Sequence, residues 1–465
     1  MSLDNLPVEW LLVTLEHICK KIQDGNYGGD YPKAEEWMES GIPFITGAAL
    51  TNSGIAKEKL KYISVEKNSL LKKAQTTEGD VIFPNRGATE AQKFGGAKIA
   101  YTLGKDYEVS NINPQITLLR AEEGILPKYI EYLVSSPLFL EAYRESAKGS
   151  ALGFMNLSKT KAINVPLTTT LEQQEIVRQL DVMLAQVEQI KARLDVIPAI
   201  LKKFRQSVLA DAVSGRLVEK NHSIWVEKNL SELTLKITDG EHLTPPIVES
   251  GVPLLSAKDV HEQYIDFSNC KYIERSIADK ALSRCNPQYH DLLVVSRGAT
   301  VGRTHYLKNS REFCLMGSVL LIRANMALIQ PAYLDIFFKS ELGRKQLISS
   351  SGASAQQAIY IRDVKKMKVS YPSIEVQEDI IVQVNTLFKF IEKIEFTVQS
   401  AQKRVNLLTQ SILAKAFSGE LTAEWRTQHH DLITGINSAE SLLAKIQAER
   451  EANKPVKKTR AKKDA

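Results

Sequence analysis

Two rows of ten apolar residues constrain this chain more than anything else in it. The first row is Ile176, Leu180, Met183, Val187, Ile190, Leu194, Ile197, Leu201, Phe204 and Val208, with steps alternating four and three throughout. The second is Ile380, Val384, Leu387, Ile391, Ile394, Val398, Ala401, Val405, Leu408 and Ile412, each 204 positions after its counterpart. A 4-3 alternation averages 3.5 residues, the period that keeps one side of a helix turned towards a partner helix. A stripe of that length left in water is an aggregation hazard, so the two seams are expected to pack on each other. Two similar surfaces related by a twofold axis run antiparallel. The helix ends match as well. Gln206-Ser-Val-Leu-Ala-Asp-Ala-Val-Ser-Gly-Arg-Leu217 returns as Gln410-Ser-Ile-Leu-Ala-Lys-Ala-Phe-Ser-Gly-Glu-Leu421, with Gly215 and Gly419 where a helix C-cap glycine belongs. Pro198 lies inside the first seam, where the second has Gln402, so the first helix should bend or split there and the second run straighter.

The duplication extends over the whole chain. Trp10 and Leu15 open one copy, Trp225 and Leu230 the other. Asp24-Gly25 answers Asp239-Gly240, and Ser40-Gly-Ile-Pro-Phe-Ile45 answers Ser250-Gly-Val-Pro-Leu-Leu255. Asp80-Val-Ile-Phe answers Asp291-Leu-Leu-Val, Arg86-Gly-Ala-Thr89 answers Arg297-Gly-Ala-Thr300, and Leu119-Arg-Ala answers Ile322-Arg-Ala. The offset runs 215, 210, 211, 203 along these pairs and then holds at 204 through the seams. Loops absorb insertions, whereas one extra residue in a seam rotates every later knob off its partner. Each copy is therefore a loop-rich domain followed by a register-bound helix. The domains read as mixed α/β, with strands near Val81–Phe83, Gln115–Leu119, Leu292–Val295 and Ser318–Ile322. Single short helices are expected over Tyr129–Leu140 and Tyr333–Leu347. Thr170 with Gln173 suits a capping box for the first long helix and Ser373 a cap for the second. The expected division is 1–170, first domain; 171–217, first helix; 218–372, second domain; 373–421, second helix; and 422–465, a tail. Within the tail, Ser441–Arg450 could form a short helix, and Lys454–Ala465 is basic and read as a disordered, solubilising end.

A chain of 465 residues exceeds one ordinary core, and 43% hydrophobic with 25% charged residues is the balance of a soluble globular protein. No run is apolar enough to span a bilayer, and the start lacks the pattern of a signal peptide. Cys19, Cys270, Cys285 and Cys314 are scattered, which suits a reducing cytoplasm and excludes a zinc-finger spacing. The net charge of +6 permits nucleic-acid binding without showing it. Catalytic motifs are missing: there is no P-loop, no His-Glu-x-x-His and no dinucleotide-type glycine turn. Asn286-Pro-Gln-Tyr289 comes near the Asn-Pro-Pro-Tyr of adenine methyltransferases, but Gln288 breaks it and the first copy has nothing similar.

The duplicated loops are where binding chemistry gathers. An arginine after a strand end can bridge phosphate oxygens or a guanine edge, and a threonine adds a hydroxyl donor. Arg86, Thr89, Arg297 and Thr300 are therefore DNA-binding candidates, against the plainer reading of a turn whose arginine pairs with a local carboxylate. The Asp-Gly segments add Asp24, Asn26 and Tyr27 in one copy and Asp239, His242 and Thr244 in the other. They keep the Asp-Gly anchor and differ in the residues after it, as two readers of different sequences would.

The arrangement resembles the specificity subunits of type I restriction-modification systems. The resemblance rests on the two Gln-Ser-x-Leu-Ala-x-Ala-x-Ser-Gly-x-Leu helix ends, the two Arg-Gly-Ala-Thr loops, Asp239-Gly-Glu-His-x-Thr-Pro and the tail segment Leu442–Arg450. It implies an α+β fold: two mixed α/β target-recognition domains separated by two long antiparallel coiled-coil helices, an internal pseudo-twofold repeat. It also implies double-stranded DNA as ligand, read as a split site, one half per domain. Two modification subunits would supply S-adenosylmethionine-dependent adenine methylation, and two restriction subunits ATP- and Mg-dependent translocation and cleavage, all in the cytoplasm of a bacterium or archaeon. The chain itself would bind no cofactor or metal and do no chemistry. A coiled-coil adaptor that binds no DNA, and a stand-alone methyltransferase or nuclease, are the alternatives the residues leave open.

Overall fold

The computed structural model describes residues 6–51, 54–85, 99–147, 156–218, 224–309, 311–349 and 358–453. It divides into two compact units: 1–195 with 400–465, and 196–399. The divisions cut across the middle of both long helices, so each domain forms one unit with the helix halves it packs on.

Within the first unit a four-stranded antiparallel sheet has the order Cys19–Asp24, Ile116–Ala121, Val81–Pro84, Tyr101–Thr102. Within the second unit the order is Thr234–Asp239, Val319–Ala324, Leu292–Val295, Thr304–Tyr306, the same arrangement. The strands Val81–Pro84 and Leu292–Val295 are apolar at every position because both faces are covered. Val81 and Phe83 face the core that holds Tyr129 and Leu133, while Ile82 faces another with Ile116 and Leu118. Leu292 and Val294 pack with Tyr333 and Leu334, and Leu293 and Val295 pack with Phe313 and Leu315. A three-stranded sheet also recurs: Lys61–Ile63, Ile42–Ile45 and Asn111–Ile112 in one unit, Lys271–Ile273, Val252–Leu255 and Cys314–Leu315 in the other.

The repeated Asp and Arg motifs form one repeated ion pair. Arg120 clasps Asp80 through Nε at 2.7 Å and Nη2 at 2.8 Å, and Asp80 also accepts from the Thr77 backbone. Arg323 clasps Asp291 at 2.8 and 2.7 Å, and Asp291 accepts from the Gln288 backbone. The Asn286–Tyr289 segment is thereby explained as the turn that Asp291 caps, with the Asn286 carbonyl accepting from Arg323.

The long helices span Thr170–Ser214 and Ile374–Phe417. Gly215 and Gly419 follow them at φ +81° and +80°, the left-handed conformation expected of them. Helical backbone continues through Pro198, so the proline does not split the first helix. The first cap lies one residue earlier than expected: Thr169, not Thr170, accepts from the Glu172 N–H at 3.2 Å, and the Thr170 hydroxyl donates to the Gly124 carbonyl. Gln173 caps nothing. Its side chain accepts from the Leu126 N–H and donates to the Thr168 carbonyl, as Gln377 does with Gln330 and Pro372. These glutamines seat each helix start against its domain.

Each unit pairs the start of one helix with the end of the other, the antiparallel arrangement. Ile176, Leu180 and Val187 share a core with Ile412, Leu413 and Phe417, and Gln402 donates to Asp195. Val208, Leu209 and Ala212 share a core with Ile380 and Val384, and Arg205 pairs with Glu395 at 3.0 Å. The seam is narrower than two full rows. The seven-residue row Leu180, Val187, Leu201, Val208 is buried and Leu194 half-buried; its counterpart Val384, Ile391, Val398, Ile412 is buried and Val405 half-buried. The alternate row is more open, with Ile190 at 44%, Phe204 at 42% and Leu408 at 42% exposed.

Two short helices stand where one was expected in each copy: Pro127–Ser135 and Pro137–Ala147, then Pro331–Lys339 and Glu341–Ser349. Ser136 and Ser340 make the breaks, each hydroxyl donating back into the first helix and accepting the N–H of Phe139 or Gly343 in the second. The tail helix is Ala439–Ala452 and lies on the first domain, where Ile446 enters the core and Arg450 pairs with Glu122 at 2.6 Å. The basic end expected over Lys454–Ala465 lies outside the described residues.

Candidate nucleic-acid interface

The site is built on the Asp-Gly turns. Where the strand Thr234–Asp239 ends, Gly240 runs against the strand Cys314–Leu315, so closely that a Cβ would lie 1.9 Å from the Leu315 carbonyl oxygen. Gly25 stands in the same relation, 1.9 Å, to the Asn113 carbonyl. No side chain fits at either place, which is why the anchor is repeated. Glu241 then locks the turn, donating its N–H to Leu315 and accepting from Gly317.

Beyond that turn His242 and Thr244 emerge into a cleft lined also by Ser256, Lys258, Lys271, Arg297 and Ser318. Arg297 arrives from the end of the strand Leu292–Val295 and forms an antiparallel bridge with Ala358. It is exposed, and among the described residues neither it nor Lys271 has an ion-pair partner. The plainer reading, an arginine spent on a local carboxylate, therefore does not hold for Arg297. Two acids, Glu241 and Asp259, also line the cleft; Asp259 accepts from the Ser256 N–H and hydroxyl, both at 2.8 Å, and lies 3.8 Å from the Lys258 ammonium. The cleft thus offers three cations, a ring nitrogen and hydroxyls, the donor set that phosphates and base edges accept. Asp239 lies beside His242 and is paired with Arg284 at 2.6 Å. Thr300 does not line the cleft; its carbonyl accepts from Arg303 within the following turn.

In the first domain Asp24 accepts from the Thr117 hydroxyl at 2.7 Å. Burial pushes its carboxyl above the usual range, against that hydrogen bond and the charge of Lys73. Asn26 is 5% exposed and donates to Asn111, which donates to Asn68, so its amide supports the turn from within. Tyr27 is 66% exposed with the Lys73 ammonium 3.7 Å from its ring centroid. Arg86 and Thr89 lie outside the described residues.

The structure thus brings His242, Thr244 and Arg297 together, with Asp239 alongside. Sequence reasoning missed Lys258, Lys271, Arg284 and Lys73. One signal was available: Lys61-Tyr-Ile63 and Lys271-Tyr-Ile273 are an identical tripeptide at offset 210. Among the described residues no group of three His, Cys, Asp or Glu could hold a metal ion, and no helix is long and apolar enough to cross a membrane. The four cysteines are buried, and burial pushes the Cys285 and Cys314 thiols up to about 12 and about 11.

Residues 7–199 and 246–403 match the family described as the type I restriction modification DNA specificity domain. The chain is 36% identical over 356 residues to the type I restriction enzyme EcoKI specificity subunit of Escherichia coli K12, covering 74% of this chain and 76% of the relative. It is 34% identical over 375 residues to the EcoBI specificity subunit of Escherichia coli, covering 76% and 78%. The fold is similar to that of a solved chain from a type I R-M system, with TM-score 0.65, 16% identity and coverage of 89% of this chain and 99% of the other. It is similar also to the HsdS subunit from Thermoanaerobacter tengcongensis, with TM-score 0.57, 16% identity and coverage of 89% and 98%. By this family match and these relatives, the chain belongs to the type I restriction-modification DNA specificity family, as a non-catalytic subunit that specifies DNA sequence.

Proposed function

We propose that each of the two domains reads one half of a split double-stranded DNA target, each with the face built around its Asp-Gly turn. The observation that carries this is a constant frame bearing different side chains. Strand order, the Asp80 and Asp291 ion pairs and the Gly25 and Gly240 approaches repeat. At corresponding places on the face, His242 stands for Tyr27 and Lys258 for Ala48, while Lys271 matches Lys61. Different donors on one scaffold are what reading two different half-sites requires.

The chain would act with two modification subunits that use S-adenosylmethionine and two restriction subunits that use ATP and Mg, in the cytoplasm of a bacterial or archaeal cell. The open alternate row of the long helices, with Ile190, Phe204 and Leu408 each more than two fifths exposed, and the further exposed apolar residues Val182, Phe390, Phe396 and Leu407 outside the seam support partner docking on these helices. The test is to express the chain with its modification partner and sequence the methylated adenines. A bipartite consensus is expected, and a single contiguous site or unselective methylation would refute the reading.

A further inference from the structure

The two domains share one more arrangement. Arg284, at the end of the helix Arg275–Arg284, donates to Asp239 at 2.6 Å and lies 3.0 Å from Nε2 of His242. Lys73, in the short helical turn Lys72–Ala74, sits over the ring of Tyr27 at 3.7 Å, and its charge reaches Asp24. Lys73 stands seven residues before Asp80, and Arg284 seven before Asp291. Tyr27 and His242 each stand three residues beyond the aspartate of the Asp-Gly turn. A cation from the same place in each domain therefore meets both the anchor aspartate and the side chain three positions on.

A guanidinium has N–H donors and no acceptor. Nε2 of His242 lies 3.0 Å from Arg284 Nη2 and 3.4 Å from Asp239 Oδ2; the guanidinium can only donate, so at the shorter of the two contacts Nε2 accepts and the ring proton sits on Nδ1. Gly317 leaves room for that edge: a Cβ there would lie 3.1 Å from Nδ1. The ring offers a donor, the group that guanine O6 and N7, adenine N7 or thymine O4 accepts. The Lys73 ammonium lies over the face of the exposed Tyr27 ring and is attracted to it.

We propose that Arg284 and Lys73 are positioning residues, each fixing the variable side chain of its Asp-Gly turn, His242 or Tyr27, and that Arg284 sets His242 as an Nδ1–H donor to a base edge. This rests on the reading of the cleft as DNA-facing.

The experiment uses the full chain with its modification partner, its mapped target and a panel of duplexes with each base pair replaced in turn. The variants are Arg284→Gln, Arg284→Lys, His242→Ala and the double variant Arg284→Gln with His242→Ala. Arg284 is 43% exposed at its side chain, so these variants should fold, which melting curves check. His242→Ala should reduce preference at one base pair of one half-site by roughly five- to a hundredfold, the worth of one side chain–base contact. Arg284→Gln should relax the same base pair, and the double variant should do no more than His242→Ala alone. Arg284→Lys keeps the charge but loses the planar fork, so it too should relax that base pair while leaving the salt dependence of binding unchanged. A uniform loss across the panel, with the salt slope reduced by about one, would make Arg284 a phosphate contact and overturn the proposal. Additive effects in the double variant would also overturn it. If His242→Ala changes no base preference while methylation persists, the DNA-facing reading of the cleft fails instead.

Discussion

Glu172 is a fully buried carboxylate and gives the sharpest stability test in the molecule. It accepts from the Trp10 indole at 2.7 Å, the Thr168 hydroxyl, the Thr422 hydroxyl at 2.7 Å and the Arg426 guanidinium at 2.7 Å. It thereby joins the first domain, the start of the first long helix and the tail. Removing one partner of a buried pair costs about 3–5 kcal/mol, because the other charge is left unpaired. Arg426→Met should cost that much, and Glu172→Val a similar amount. The repeat shows what an apolar version looks like: Val376, 204 positions on, is buried in the core of the second unit. The double variant removes both charges and leaves only neutral donors, so it should cost about as much as one single change and not the sum. The coupling energy is then about 3 kcal/mol or more. At roughly 2–4 °C per kcal/mol, each single variant should lower the melting of the first unit by about 6–20 °C. Calorimetry with hydrogen-exchange mass spectrometry reads this locally: peptides from 6–195 and 400–453 should lose protection while those from 226–399 keep theirs. Additive single effects, or equal loss in both units, would refute the account.

The same structure sets three further outcomes. Arg297→Ala should weaken DNA binding by about 1–3 kcal/mol if its contact is a bidentate one to a base edge, and should blur one half-site only, as read by sequencing methylated sites. Leu180→Asp places an unpaired charge in a fully buried position and should destabilise the first unit by several kcal/mol, whereas Ile190→Asp, 44% exposed, should melt within about 1 kcal/mol of the parent and instead weaken co-purification of a modification subunit. Replacing residues 1–170 with those of a relative of different specificity should change one half of the methylated consensus; a folded, active chimera altered in both halves would contradict independent reading.

The parts of the fold legible in the sequence are those with a local cause. The strands showed as apolar runs because Val81–Phe83 and Leu292–Val295 are covered on both faces, and the helix ends showed because Gly215 and Gly419 need positive φ. Ten matched positions located the seam but not its width. A 4-3 pattern cannot say that the row through Leu180 and Val187 turns inward while Ile190 and Phe204 turn out, since that depends on how far one helix rotates against the other. The breaks at Ser136 and Ser340 were missed because a serine inside an apolar run gives no sign of whether its hydroxyl will cap. The tail's seat on Glu172 and Glu122 joins residues more than 240 positions apart, beyond any local pattern. At the candidate interface, the turns that carry His242, Thr244 and Arg297 were visible. Lys258 and Arg284 were not, because separate segments bring them there, and Lys271 left only the repeated Lys-Tyr-Ile tripeptide as a trace.

The drift in repeat offset, read on the structure, separates frame from reading surface. Positions whose neighbours are backbone cannot move: Gly25 and Gly240 against a carbonyl, Asp80 and Asp291 inside their turns, Gln173 and Gln377 between a helix start and its domain. Between those fixed points the copies differ in length. From Asp24 to Ser40 the first copy takes five residues more than the second takes from Asp239 to Ser250. That longer loop packs on the strand Ile42–Ile45, where its Tyr31 and Trp37 meet each other and Phe44 edge to face at 5.2–6.2 Å between centroids. The second large change in offset falls between the Arg-Gly-Ala-Thr loop and the strand Ile116–Ala121. The two copies thus differ most in length beside the Asp-Gly turn and beside the arginine loop, the two places where we propose that bases are read. A surface that alters in length chiefly there can change which bases it contacts without disturbing the core that holds it.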